Sequence, residues 1–140
     1  MVLNFSHQFL GILFCHAKVE LVEYFDKACE QIINQKKLRI RLAVIDHISS
    51  ATAILYPVVE ICQTIRKWSN DCVILIDGAH CVGQVELNFN AIGCDFYVSN
   101  LHKWLFAPRS CSFIYTSDPK NFQGLFLEST TYFSTKLKKE

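Results

Sequence analysis

The sequence predicts an α/β fold, in which a mostly parallel β-sheet is flanked by helices. Short runs that are apolar on both faces, such as "RLAVID" and "DCVILID", are typical of strands buried in a parallel sheet. The longer segments between such runs repeat apolar residues every three or four positions, as amphipathic helices do. Asp46, Asp77 and Asn100 each stand at the end of a predicted strand. Ligands of open α/β sheets bind beyond such carboxyl ends, so these residues form a candidate site.

The first predicted helix runs from Glu20 to Lys36. Lys36 and Lys37 close it, where the helix dipole favours positive charge. Its apolar face consists of residues three or four apart: Leu21, Phe25, Cys29, and Ile32 or Ile33. The strand "RLAVID" follows, and the hydroxyl-rich segment "HISSATAI" connects it to the second helix.

The second predicted helix begins at Pro57, because proline is favoured in a first helical turn. Its apolar face consists of Val58, Ile61, Cys62, Ile65, and Trp68 or Ser69. Beyond it come the strand "DCVILID", the turn "GAHCVGQ", a short connector through Leu87 and Ile92, and the strands "CDFYVS" and "SCSFIYT". We therefore expect at least four strands, with helices on each side of the sheet.

The 140 residues suffice for one domain at most. We expect an uncertain N-terminal segment over residues 1–19, a partial large domain over 20–117 and a poorly specified tail over 118–140. The apolar run Phe9–Cys15 is too short to span a bilayer and has no basic segment before it. It favours a buried strand, with a signal-like segment as the alternative.

Charge and cysteine content narrow the function classes. The net charge of +1 gives no electrostatic case for a nucleic acid or an anionic membrane as partner. The seven cysteines are odd in number and have no C-x-x-C spacing, and most have aliphatic neighbours. This pattern favours free buried thiols in a reducing compartment over disulfides or a metal site, so we expect a cytoplasmic protein.

Two residues could carry chemistry. Lys103 is surrounded in sequence by apolar residues in "DFYVSNLHKWLFAP", and a lysine amine attacks carbonyl groups only in its neutral form, which apolar surroundings favour. Asp77 ends a buried strand in "ILIDGAH" and needs a hydrogen-bonding or cationic partner there. Taken singly, a lysine reaching out to solvent and an aspartate capping a turn are the more ordinary interpretations.

Together these residues predict a pyridoxal 5'-phosphate site. Such a site requires a lysine that forms a Schiff base and an acid that faces the pyridinium nitrogen. The cofactor phosphate also needs hydrogen-bond donors, and Ser99, Asn100 and His102 precede Lys103 closely.

These residues lie in a segment that resembles a known family. The stretch "VILIDGAHCVGQVELNFNAIGCDFYVSNLHKWLFAPRSCSFIY" resembles the core of the class V aminotransferases, a family of fold-type I pyridoxal-phosphate enzymes, and most of all their isopenicillin N epimerase-like branch. The upstream "RLAVIDHISSATAILYPVVEICQTIRKW" fits the preceding βα unit of that family. The resemblance covers roughly Arg39 to Tyr115, and its most specific part is D-G-A-H followed by H-K-W-L.

The resemblance implies a role for each matching residue. Lys103 would form the Schiff base, and Asp77 would hold the proton of the pyridine nitrogen. The remaining cofactor contacts would be His80 near the phenolic oxygen, Asn100 and His102 near the phosphate, and Ser50 or Thr52 in the loop that approaches the ring. The family further implies an amino-acid substrate and a homodimer with the active site at the subunit boundary.

The chain also departs from the family pattern. Only the central part of the large domain is matched, without the upstream phosphate loop, the ring-stacking aromatic residue or the C-terminal small domain. Ser110 and Ser112 stand where glycines are usual, and we expect serine there only if φ stays negative. Cys81 and Cys111 lie near the site in sequence, but their apolar neighbours favour packing over a nucleophilic role.

Two functions remain open at this point. One is a fragment of a pyridoxal-phosphate enzyme that acts on an amino acid by transamination, epimerisation, desulfuration or a related lyase step. The other is a catalytically inactive remnant that retains the fold as an interaction module. A doubly wound nucleotide-binding domain is excluded, because no glycine-rich loop follows any predicted strand.

Overall fold

The computed structural model describes residues 2–4, 17–118 and 120, and within them it contains one five-stranded sheet. The strands are β1 (Val2–Asn4), β2 (Leu42–Asp46), β3 (Val73–Asp77), β4 (Phe96–Asn100) and β5 (Ser112–Thr116). Neighbours in the sheet are also neighbours in the chain. The first four strands are parallel and β5 is antiparallel to β4. The predicted mostly parallel sheet is confirmed, while the predicted apolar run Phe9–Cys15 lies outside the described residues.

Helices connect the parallel strands. They are α1 (Ala17–Glu30), which continues as the π-helical turn Gln31–Gln35, α2 (Val58–Trp68), and the short helices α3 (Phe89–Ile92) and α4 (Leu101–Trp104). The two long helices are those expected from periodicity, whereas α3 lies in the expected connector and α4 was not expected. Within the described part of the chain, no helix combines the length and apolarity needed to cross a membrane.

The core lies on one face of the sheet. Alternate residues of β2 and β3 are buried beneath α1 and α2, because successive side chains of a strand point to opposite faces. These helices contribute the residues at helical spacing that the sequence predicted, including Leu21, Phe25 and Cys29 from α1 and Ile61, Cys62 and Ile65 from α2. The sheet contributes Ala43, Ile45, Ile74, Ile76 and Tyr97 to the same cluster.

The opposite face of the sheet is covered much less. Leu42, Val44 and Leu75 alternate with the buried residues and are only partly buried, and Val73 is 39% exposed. None of these four belongs to the core cluster of the described residues. The expectation of helices on each side is therefore wrong for the described part of the chain. The reason is topological, because β1, β2 and β3 succeed one another in the same direction, and right-handed crossovers then place both long helices on one side.

The strand register places the polar strand ends in one row on this second face. Asp46 is the register partner of Asp77 on the neighbouring parallel strand. On the far side of β4, Asn100 is the register partner of Ser112. The expected clustering of strand-end residues at one edge of the sheet is present.

Candidate active site

Gly78 sets the sharp turn that follows β3. Its amide donates to the carbonyl of Val98 at 2.7 Å, and Ser99 Oγ donates to the Gly78 carbonyl at 2.6 Å. A Cβ at position 78 would overlap the ring of the fully buried Tyr97, so no other residue fits. Ser99 is buried and its hydroxyl proton is already used, so the expectation that it donates to a cofactor phosphate is wrong.

Asp77 is half-buried at the end of β3. Its Oδ1 accepts a hydrogen bond from the Ala79 amide at 2.9 Å, which supplies part of the partnership that a buried carboxylate needs. Among the described residues Oδ2 has no hydrogen bond. Asp77 and Asn100 line one cavity of about 440 Å³, together with Ala79, Val98, Ser99, Ser112, Phe113 and Ile114.

Lys103 lies in α4 and reaches the turn after β3. Its Nζ is 3.2 Å from His80 Nε2, so the structure brings together two residues 23 positions apart. On the other side of the imidazole, the Trp104 indole N–H donates to His80 Nδ1 at 3.4 Å. Lys103 and His80 are half-buried. Gly83 holds this turn close to α4, since a Cβ there would lie 3.1 Å from the Trp104 carbonyl oxygen.

The apolar residues after Lys103 do not enclose it. Trp104, Leu105 and Phe106 are 45%, 50% and 90% exposed. The expectation that they surround the amine is therefore wrong for this chain. Of the three, Trp104 reaches the candidate site through its hydrogen bond with His80.

His102 turns one ring nitrogen away from solvent. Its Nδ1 lies 3.1 Å from the carbonyl oxygen of Cys111 and therefore carries a proton. The Leu101 amide donates to the same oxygen at 2.9 Å, which ties α4 to the loop before β5. Only Nε2 of His102 is left for a ligand.

Ser50 and Thr52 are exposed in the loop between β2 and α2. This loop closes on itself, because the Ser49 amide donates to the Ile54 carbonyl and the Ala53 amide to the Ser49 carbonyl. Within the described residues, neither Ser50 nor Thr52 forms a hydrogen bond with another candidate residue. Their proposed approach to the cofactor ring remains a prediction.

A buried polar pair that the sequence did not reveal supports the turn. His47 Nδ1 and the Tyr97 hydroxyl are 2.9 Å apart, and the two rings meet edge to face. Burial lowers the pKa of His47 to about 4, and burial also raises the pKa of Tyr97. His47 lines a second cavity of about 560 Å³ beside α2, which none of the predicted site residues lines.

The described cysteines are free thiols, as the sequence predicted: Cys29, Cys62, Cys72, Cys81, Cys94 and Cys111. Cys81 is fully buried, and burial raises the pKa of its thiol to about 11. It therefore packs, and a nucleophilic role is excluded by lack of access. Among the described residues no group of three or more metal-ligating side chains is gathered.

Comparisons with known proteins place this geometry in a family. The family model for aminotransferase class V matches residues 16–136. The chain belongs to the class V aminotransferase family. The match extends on both sides of the predicted domain 20–117, and that division of the chain stays a prediction. Enzymes of this family depend on pyridoxal phosphate.

Two relatives and one solved structure illustrate the match. The chain is 50% identical over 78 residues to putative L-cysteine desulfhydrase 2 of Oryza sativa subsp. japonica, covering 56% of this chain and 16% of that protein. It is 36% identical over 77 residues to isopenicillin N epimerase of Streptomyces clavuligerus, covering 55% and 19%. The apo cysteine desulfurase of Thermococcus onnurineus NA1 has the same fold, with a TM-score of 0.56 and 19% identity over 68% of this chain and 21% of that one. The chain thus spans about a sixth to a fifth of the length of these relatives.

The residues present fit part of a pyridoxal-phosphate site. Such a cofactor requires a lysine amine and an acidic partner, and the chain has the amine of Lys103, with an imidazole beside it, and a carboxylate with a free oxygen at Asp77. Asn100 opens onto the same cavity as Asp77, and His102 adds one available ring nitrogen. Lys103, His80 and His102 do not line that cavity, so the described residues supply one side of a site rather than an enclosed pocket.

Proposed function

We propose that the protein carrying this chain is a pyridoxal-phosphate-dependent enzyme that acts on an amino acid. The observation that carries the proposal is the contact between Lys103 and His80 at the edge of the sheet where Asp77 and Asn100 end their strands. Membership of the class V aminotransferase family supports the same conclusion.

Each side chain has a task that its contacts allow. Lys103 would bind the cofactor covalently as a Schiff base, with His80 orienting its amine. Asp77 would hold a proton on the pyridine nitrogen through Oδ2, while the Ala79 amide keeps the carboxylate in place through Oδ1. Asn100 and His102 would bind the phosphate, and Ser50 or Thr52 would approach the ring from the loop after β2.

The bound cofactor supplies an electron sink for the bonds at the substrate Cα. The carboxylate at position 77 controls how strong that sink is, because a protonated ring nitrogen withdraws electrons and a neutral one does not. Its half-buried position is suited to this task, since charge interactions are stronger where water is excluded.

The substrate and partner follow from relatives and family. Names of relatives make L-cysteine the first substrate to test, with desulfhydration as the reaction. We further propose a homodimer, in which a second copy completes the site. The free thiols of the described residues support a reducing compartment such as the cytoplasm.

Turnover of L-cysteine tests the proposal. In the protein that carries this chain, sulfide release from L-cysteine with added pyridoxal phosphate should fall by several orders of magnitude in Asp77→Asn, because a neutral amide does not hold a proton on the ring nitrogen as a carboxylate does. Cofactor linkage to Lys103 should persist in that variant.

Asp71→Asn is the matched control. Asp71 is exposed and pairs with Arg39, away from the carboxyl ends of the strands. The turnover of Asp71→Asn should therefore equal that of the parent protein. Full turnover in Asp77→Asn would overturn the role of Asp77. Turnover of other amino acids without sulfide release would keep the enzyme class and replace the substrate.

A further inference from the structure

The second cavity, beside α2, lies on the helix-covered face of the sheet. Its volume of about 560 Å³ is within the range of small-molecule sites, and it is bordered by the residue after β2, the start of α2 and the segment before α3. It shares no lining residue with the cavity of Asp77 and Asn100. His47 continues the buried row of Ala43 and Ile45, whereas Asp77 belongs to the opposite face. The two cavities therefore lie at the same edge of the sheet but on opposite faces.

His47 presents a polar atom to the second cavity. Its side chain is 7% exposed and lines the cavity. Nδ1 is bonded to the Tyr97 hydroxyl at 2.9 Å, whereas Nε2 has no hydrogen bond with any described residue. In the described part of the chain, every fully buried side-chain nitrogen or oxygen has a partner, so Nε2 must be accessible, and the cavity is the space that reaches it. An unpaired polar atom among apolar groups is costly, and a ligand that pairs with it gains that free energy.

The walls of the second cavity are mostly apolar. Tyr56, Val58 and Ile92 line it from the buried core, and Leu55 lines it although 54% of that side chain is exposed. Small-molecule sites are typically of this kind, with apolar walls and a few polar groups that fix the orientation of the ligand. The body of a fitting ligand is therefore apolar, and it would cover Leu55.

Charged groups at the second cavity disfavour an anionic ligand. Lys18 and Glu60 pair with each other at 2.5 Å, and Glu86 adds an unbalanced negative charge to the lining. His47 is neutral at pH 7, because burial lowers its pKa to about 4. The start of α2 favours a hydrogen-bond acceptor, since no side chain caps the helix and the Val59 amide has no partner among the described residues. A neutral group that can accept a hydrogen bond satisfies both conditions.

A hydroxyl group fits His47 in either tautomer. The bond with the Tyr97 hydroxyl is compatible with a proton on Nδ1 or on Nε2, so Nε2 either accepts or donates. A hydroxyl group can do both, whereas a carbonyl oxygen only accepts and an ammonium group only donates.

We propose that the second cavity binds a small neutral molecule with an apolar body and one hydroxyl group, and that this hydroxyl group hydrogen-bonds to His47 Nε2. The ligand class is thus an aromatic or aliphatic alcohol. This site is separate from the proposed cofactor site and does not depend on the proposed function.

Three naphthalene compounds test the ligand class. 2-Naphthol has an apolar body and a hydroxyl group, naphthalene lacks the hydroxyl group, and 2-naphthoate has a charged carboxylate in its place. Equilibrium dialysis at pH 7 measures their binding to the protein that carries this chain. 2-Naphthol should bind roughly three- to tenfold more tightly than naphthalene, the difference that one hydrogen bond supports. 2-Naphthoate should bind more weakly than 2-naphthol.

Two substitutions of His47 isolate the hydrogen bond. His47→Asn keeps a polar atom near the Nδ1 position for Tyr97 but removes Nε2, so 2-naphthol and naphthalene should bind to it with equal affinity. His47→Gln places a side-chain amide near the Nε2 position and should restore most of the difference. A purely structural role of His47 would change the affinities for both compounds alike and leave their ratio unchanged.

Substitutions in α2 locate the site. Val59→Phe adds volume to the cavity wall, so it should bind neither 2-naphthol nor naphthalene at concentrations that saturate the parent protein. Gln63→Phe is the matched control, because Gln63 is exposed one turn further along α2 and does not line the second cavity. Lys103→Ala should leave the affinities unchanged, since Lys103 lies outside this cavity. If Val59→Phe does not fold, the ratio of affinities in His47→Asn decides the question.

Several results would overturn the proposal. They are equal affinity of the parent protein for 2-naphthol and naphthalene, an unchanged ratio in His47→Asn, or binding that is lost in Lys103→Ala and retained in a folded Val59→Phe. Absence of binding by all three compounds would also overturn it, because the cavity is then filled by other parts of the protein. Failure of pyridoxal phosphate to link to Lys103, with the naphthol results as expected, would overturn the proposed function alone.

Discussion

Hydrogen bonds within the chain decide which atoms of the candidate residues remain for a ligand. Asp77 keeps Oδ2, because Oδ1 is bound to the Ala79 amide. His102 keeps Nε2, which carries no proton while the ring is neutral, because Nδ1 donates to the Cys111 carbonyl. His102 can therefore donate to a phosphate only when Nε2 also carries a proton.

His102→Ala should weaken binding of pyridoxal phosphate by roughly ten- to a hundredfold, because a hydrogen bond to a charged group contributes about 1.5–3 kcal/mol. His102→Gln should retain most of the affinity, since its side-chain amide can donate near the Nε2 position. Equilibrium titration with pyridoxal phosphate checks both points. Equal affinity in the alanine variant would make His102 a packing residue that only anchors the loop before β5.

His47 should make stability depend on pH. Its pKa falls from 6.5 to about 4 on folding, because the ring is buried. The stabilisation is complete above pH 6.5, where both states are neutral, and it is lost as the pH falls towards 4, where the unfolded chain binds a proton that the folded chain refuses. The free energy of unfolding should decrease by roughly 3 kcal/mol over this range.

Denaturant titrations at several pH values measure the slope of the free energy of unfolding against pH. His47→Asn keeps a polar atom near the Nδ1 position and should lose the slope between pH 6.5 and 4. Tyr97→Phe removes the hydrogen bond but leaves the titrating ring, so the slope should remain. If the free energy of unfolding still decreases between pH 6.5 and 4 in His47→Asn, the decrease is due to other titrating groups.

At the scale of elements, the spacing of apolar residues in the sequence predicted the strands and the long helices. The strands β2 to β5 and the two long helices were foreseen because each has a regular run or spacing of apolar residues in the sequence. The helices α3 and α4 were not, since four residues carry too little periodicity, although Asn88 and Gly93 are the usual start and end of a helix. The contact between Trp104 and His80 depends on a turn packing against α4, which no local pattern encodes.

The loop between α4 and β5 contains backbone strain. Phe106 has φ of 56° and Ser110 has φ of 70°. Ser110 was expected to keep a negative φ, and this expectation is wrong. The turn retains the left-handed conformation that suits glycine, even though serine occupies the position.

Ser110→Gly should therefore stabilise the protein by about 1 kcal/mol, because a left-handed conformation is strained for a residue with a Cβ. Ser112→Gly is the matched control, since Ser112 lies in β5, where glycine destabilises by about 0.5–1 kcal/mol. The midpoint of denaturant unfolding measures both changes. If Ser110→Gly and Ser112→Gly shifted the unfolding midpoint in the same direction, the result would contradict the strain at Ser110.

At the scale of the whole molecule, one sheet face carries the core and the other is apolar but poorly covered by the residues that the structure describes. Leu42, Val44 and Leu75 are partly buried there, and Val73 is 39% exposed. Exposed apolar surface of this kind promotes association. The chain by itself should therefore associate.

Val73→Glu should increase the monomer fraction, because a charge on the open face makes its burial between copies costly. Val19→Glu is the control, since Val19 is 64% exposed on α1 and lies away from the sheet. Sedimentation velocity checks both variants. A parent chain that is monomeric and unfolds cooperatively, or an equal gain from Val19→Glu, would contradict association through the open face.

The most direct test of the whole account locates the bond between protein and cofactor. The chain, or the protein that contains it, is incubated with pyridoxal phosphate, reduced with borohydride and digested for peptide mapping. The phosphopyridoxyl group should be found on Lys103, and Lys103→Ala should lose it together with the visible absorbance band, while non-covalent affinity partly survives. Lys67 and Lys120 are the internal controls, because both are exposed and lie outside the site. An adduct on either of them instead of Lys103 would contradict the account. No adduct at all would favour a remnant that retains the fold without the cofactor.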